Sequence, residues 1–173
     1  MTFNKKGLFF SCISIIFFSV AGMAQSQDRQ SFKRNSLYAE GANRSAPYTL
    51  NFDHVFHMGD KLAYSYRVGF SLISQDITVP VGINLITGVG NHHFEASTTL
   101  IPYLKLNDNK SDPTNLYLYL IPAVGYRFQK QQGGLFFKAS VGPAFKGNPG
   151  IDDFWNMHIK TYGYGSLALG ITL

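Results

Sequence analysis

Between residues 62 and 72 the chain alternates strictly. Leu62, Tyr64, Tyr66, Val68, Phe70 and Leu72 share one parity, and Ala63, Ser65, Arg67, Gly69 and Ser71 share the other. A β-strand sends successive side chains to opposite faces, so this segment has one apolar aromatic face and one small or polar face. The pattern recurs. Ser36–Glu40 is the first and weakest instance, and Pro47–Phe56 the second, with Tyr48, Leu50, Phe52 and Phe56 opposite Thr49, Asn51 and Asp53. After the turn at 58–61 comes the third, 62–72. The fourth alternates Ile77, Val79, Val81, Ile83 and Leu85 with Thr78, Pro80, Gly82 and Asn84. The fifth runs from His92 to about residue 106, with Phe94, Ala96, Thr98 and Leu100 opposite His93, Glu95, Ser97 and Thr99.

The sixth is marked by Leu116, Leu118, Leu120, Val124, Tyr126 and Phe128, opposite Tyr117, Tyr119, Ala123, Gly125 and Arg127. Gln131-Gln-Gly-Gly134 reads as a hairpin turn into the seventh, Leu135–Val141. The eighth closes the chain, with Leu167, Leu169, Ile171 and Leu173 alternating with Ser166, Ala168, Gly170 and Thr172. No helical period appears after the first two dozen residues. Eight sequential segments, most near the roughly 9–11 residues that cross a bilayer as a tilted strand, predict an all-β, eight-stranded antiparallel up-and-down transmembrane barrel. Closure would remove the unpaired sheet edges.

The direction of the apolar parity separates two kinds of barrel. A soluble lipocalin-like barrel turns it toward a ligand cavity and covers its outside with charge. A membrane barrel turns it toward lipid. Only 14% of this chain is charged, and the charges of the strands lie on the small-residue parity: Glu40, Asp53, Arg67, Glu95, Arg127 and Lys138. Side chains just fill the interior of an eight-stranded barrel, which suits this mixture. A buried charge there needs a partner, so these six predict an internal ion-pair network that plugs the lumen. The alternative is an ion path. Tyr48, Tyr64, Tyr103, Tyr126, Phe128, Tyr162 and Tyr164 lie near segment ends and are expected as aromatic girdles on the lipid face.

The first 24 residues read as a cleaved signal peptide. Lys5 and Lys6 precede an apolar core from Leu8 to Val20, and Gly22-Met23-Ala24 offers small residues before Gln25. Residues 25–35 read as a flexible lead, and 36–173 as the barrel. Cys12 is the only cysteine and falls inside the apolar core, so the mature chain has no thiol for a disulfide or a thiolate metal site. Removing the signal leaves thirteen bases against ten acids, a charge of +3 without basic runs. That does not indicate nucleic-acid binding.

His54, His57, His92, His93 and His158 are scattered near turns and form no Ser–His–acid arrangement in the sequence; no metal, cofactor or catalytic group is assigned. The loop 146–160 is the candidate for contact with an extracellular partner, through Asp152, Asp153, Phe154 and Trp155.

Several stretches resemble the small outer-membrane β-barrel proteins of Gram-negative bacteria, particularly uncharacterised ones common in Bacteroidetes. They are Ser36-Leu-Tyr-Ala-Glu-Gly41, Tyr48-Thr-Leu-Asn-Phe-Asp53, Arg67-Val-Gly-Phe70, Ile77-Thr-Val-Pro-Val-Gly-Ile-Asn84, His93-Phe-Glu95 and Gly165–Leu173. The resemblance implies a monomer in contact with outer-membrane lipid. It also implies a closing strand read by the outer-membrane assembly machinery through Ser166, Ala168, Ile171 and Leu173. The family often ends in Phe where this chain has Leu173, a departure that bears on insertion efficiency. A non-enzymatic structural or surface-interaction role is expected; a lipid-modifying barrel enzyme and a soluble periplasmic binding barrel are the alternatives.

Overall fold

The computed structural model describes residues 33–73, 76–87, 90–105, 115–148 and 159–173. The predicted signal segment and the acidic aromatic residues Asp152–Trp155 lie outside them. Nine strands form one sheet: β1 (Asn35–Ala42), β2 (Tyr48–Met58), β3 (Leu62–Ile73), β4 (Asp76–Thr78), β5 (Val81–Thr87), β6 (His92–Lys105), β7 (Asn115–Gln129), β8 (Gly134–Gly147) and β9 (Lys160–Thr172). All pairings are antiparallel, and β9 pairs back onto β1 from Ser36↔Thr172 to Ala42↔Ser166. The sheet is therefore a closed barrel without helices among the described residues.

β4 and β5 are two halves of one stave, so the barrel has eight. The register does not slip between them: against β3, Thr78 faces Ser71 and Val81 faces Val68, three residues apart on both sides. Pro80 interrupts the ladder because it accepts from the Gly69 amide, at 2.8 Å, but has no N–H to return. A bulge between Val55 and His57 shifts the β2–β3 register at one end.

Several strands outrun the alternation read from the sequence. β8 continues past Val141 to Gly147, and β9 begins at Lys160 instead of near Ser166. Lys146 and Gly147 therefore belong to a strand, and the connection begins at Asn148. Asn35 already lies in β1, and the chain before it is tied down: the Lys33 amide donates to the Gln131 carbonyl (2.9 Å), and the Val55 amide to the Arg34 carbonyl (2.8 Å).

Both termini of the barrel, with the connections at 59–61, 88–91 and 130–133, lie at one end, the turn end. The connections at 43–47, 74–75, 106–114 and 148–159 lie at the other, the loop end.

The apolar parity points outward. Leu50, Phe70, Ile83, Phe94, Val141, Leu167 and Leu169 are each at least half exposed. No described Asp, Glu, Lys or Arg side chain occupies the outward face of a strand. A soluble monomer rarely exposes an apolar patch beyond a few hundred Å², and here the apolar surface encircles the molecule.

Candidate functional site: the barrel lumen

The inward parity places a polar interior inside this apolar wall. Glu40 on β1, Asp53 on β2, Arg67 on β3, Glu95 on β6, Arg127 on β7 and Lys138 on β8 all lie inside the barrel, none more than 4% exposed. Three acids meet three bases, so their formal charges cancel. Arg67 Nη1 donates to Glu40 Oε2 at 2.7 Å, and the Tyr164 hydroxyl donates to Glu40 Oε1 at 2.9 Å. Arg127 holds Asp53 through both terminal nitrogens, at 3.0 and 3.3 Å, and Glu95 at 3.0 Å. Lys138 Nζ lies against Glu95 Oε1. Bidentate guanidinium–carboxylate pairing of this kind is the strong form of a charged hydrogen bond.

Partners are not simply nearest neighbours. Asp53 and Arg67 face each other in the β2–β3 register, yet each bonds elsewhere: Asp53 to Arg127 on β7, and Arg67 to Glu40 on β1. The contact from β2 to β7 therefore runs between strands that do not pair.

Neutral groups complete the lattice. Ser65 Oγ and Asn84 Nδ2 donate to Asp53 Oδ2 at 3.1 and 2.7 Å. Arg127 Nε donates to Gln129 Oε1 at 2.8 Å, and Gln129 Nε2 donates to the Lys33 carbonyl at 3.1 Å. Two inward aromatics contribute that the alternation did not single out. Phe136 stacks on Tyr38, with centroids 4.7 Å apart, and the Arg127 guanidinium sits over Phe136 at 4.9 Å.

Toward the loop end the interior becomes apolar. Ile101, Ile121, Ala123, Ala144 and Tyr164 form a buried cluster, with Ala42, Tyr119 and Tyr162 packed against it. The internal space bordered by Glu40, Arg67, Ile121, Lys138 and Tyr164 has no room for a water molecule.

Three girdle expectations are corrected here, and the first is Tyr103, which shares the inward parity of β6 with Thr99 and Ile101 and meets Tyr117 and Tyr119. Tyr164 is a lumen residue, 6% exposed and bonded to Glu40, and Tyr162 on the same parity packs against the internal cluster. On β9 the outward positions beside them are Gly163 and Gly165, so the usual apolar-out pattern is inverted there. Tyr48, Tyr66 and Tyr126 are exposed, and the Tyr48 hydroxyl reaches the Leu72 carbonyl at 3.2 Å.

The histidines do not converge. His93 lies on the inward parity of β6 and is buried, with Nδ1 2.8 Å from the Thr87 carbonyl. His54 pairs with Asn35 Oδ1 at 2.7 Å, and His92 with the Tyr126 hydroxyl at 2.6 Å. Among the described residues no group of three or more His, Cys, Asp or Glu could hold a metal ion. On the closing strand, Ser166 and Ala168 point inward and are buried, whereas Ile171 and Leu173 are exposed.

No known protein family matches the sequence, and no curated protein does. Among solved structures, the crystal structure of the N-terminal β-barrel domain of Pseudomonas aeruginosa OprF is similar in fold. It aligns with a TM-score of 0.50 and 14% identity over 82% of this chain and 98% of that one. The shared feature is the closed all-β barrel.

Proposed function

We propose that the protein is an integral outer-membrane barrel of a Gram-negative envelope, non-enzymatic, with a structural or surface role and a lumen closed by its charge network. The observation that carries this reading is the segregation of charge: among the described residues, an outer wall free of ionised side chains surrounds an interior that pairs six of them. A Lys or Arg at the bilayer midplane costs about 2–4 kcal/mol on the lipid face of such a barrel, which accounts for the exclusion. The end bearing the termini has only short connections, and the two longest, 106–114 and 148–159, lie opposite, which suits a periplasmic turn end and an extracellular loop end. On this reading β9 is the strand that the assembly machinery engages, and loop 148–159 faces outward.

The closed interior supports a barrier over a pore. Ion pairs fill its middle, and an apolar cluster lies between them and the loop end. Reconstitution into planar bilayers tests this directly. The expected result is protein that stays with the membrane after a urea wash and carries no steady ionic current. Lasting single-channel steps would overturn the closed lumen; recovery in the soluble periplasmic fraction would overturn the membrane placement.

A further inference from the structure

The loop end has an inner surface that neither the belt nor the ion pairs explain. There β6–β9 rise beyond the short strand β1, and their inward parity bears aromatic rings and cations. Tyr103 lies 6.4 Å from Tyr117 and 6.2 Å from Tyr119, centroid to centroid. Lys146 Nζ sits 3.8 Å over the Tyr117 ring and 5.6 Å from Tyr119. On the adjacent strand β9, the Arg44 guanidinium lies 4.9 Å over the Tyr162 ring. The buried cluster of Ile101, Ile121 and Ala144 forms the floor.

Among the described residues, the cations of this cup lack the carboxylate partners that those of the lumen have. Lys146 and Lys160 are Cα partners in the β8–β9 register, and the Lys146 ammonium turns toward β7, over Tyr117. Neither they nor Arg44 pairs with a carboxylate among the described residues, and Arg44 and Lys160 are exposed. The described acid nearest the rings, Asp76, already accepts from the Tyr103 hydroxyl at 2.5 Å.

From this juxtaposition we infer that the loop-end cup binds an acidic oligosaccharide, with Arg44, Lys146 and Lys160 holding its carboxylate, phosphate or sulfate groups and Tyr117, Tyr119 and Tyr162 stacking its sugar rings. Tyrosine offers an apolar face with a hydroxyl tip, which matches a pyranose, and the cations beside these rings match its charged substituents. The same residue types can stack nucleic-acid bases. A blind cup with three cations, in a chain whose mature charge is small, fits a short glycan end better than an extended strand that needs a charged groove along its length.

Calorimetric titration of the intact barrel, folded in zwitterionic detergent, with a heparin-derived hexasaccharide tests the inference. Saturable binding is expected, weakened at least tenfold in K146Q/K160Q and unchanged in K61Q/K130Q, which removes the same charge at the turn end. Maltohexaose, inorganic sulfate and hexathymidylate should each bind at least tenfold more weakly. A gel-mobility check reports whether each variant folds, and R44Q reads the same rim should the double variant not fold. Absence of binding, equal losses in the two double variants, or equal binding by any of the three control ligands overturns the site.

Discussion

Arg127 is the residue on which the interior turns. It contacts Asp53, Glu95 and Gln129 and stacks on Phe136, with no exposed surface. Removing one partner of a buried pair leaves the other charged and dry, a loss of about 3–5 kcal/mol. Arg127→Leu should therefore lower the urea midpoint of the detergent-folded barrel by that order, whereas Lys61→Ala at an exposed turn should change it by less than about 0.5 kcal/mol. Equal midpoints for the two variants would remove the network from the account of stability. Glycines give a second contrast. A Cβ on Gly170 would come within 2.1 Å of the Leu37 carbonyl oxygen, whereas one on Gly165 would meet nothing within 4 Å. Gly170→Ala should be clearly destabilised and Gly165→Ala near neutral, measured by the temperature at which the compact gel band is lost. The charged residues were legible in the sequence because each falls on the sparse parity. Their pairing was not, since Asp53 passes over the Arg67 opposite it and reaches across the lumen.

At the level of strands, alternation located all eight staves but misjudged their ends. The alternation of β8 was followed only to Val141, yet beyond it Pro143 sits opposite Gly163 and the strand continues to Gly147. On β9 the glycines at 163 and 165 emptied the outward positions, so Tyr162 and Tyr164 read as lipid-facing aromatics when they are internal. Pro80 did not disturb the reading of its stave, because the register is preserved across it. The outward face of a strand yields its own test. Leu169 is 60% exposed on β9, within the apolar belt. Leu169→Arg should cost about 2–4 kcal/mol in folding into lipid vesicles. A variant that folds into vesicles as stably as the parent would show that this surface does not face hydrocarbon.

For the whole molecule, the two parities of one sheet set up two solvents. Hydrocarbon suits the outside, and the inside supplies its own counter-charges in place of water. Closure by β1 and β9 is what makes this arrangement self-consistent, because it leaves no unpaired sheet edge. The barrel class was readable from eight sequential alternating segments; which residues would cluster inside at the loop end was not, because Ile101, Ile121 and Ala144 are ordinary apolar residues on the otherwise polar parity. The central claim is the outward direction of the apolar face. Refolding the chain without residues 1–24 by dilution from urea, into plain buffer and in parallel into phospholipid vesicles, followed by far-ultraviolet circular dichroism and unboiled gel mobility, tests it most directly. The arrangement requires β-structure and a compact, heat-modifiable band only where vesicles are present, with aggregation in buffer. A dissolved, monodisperse β-sheet protein in buffer alone would contradict it.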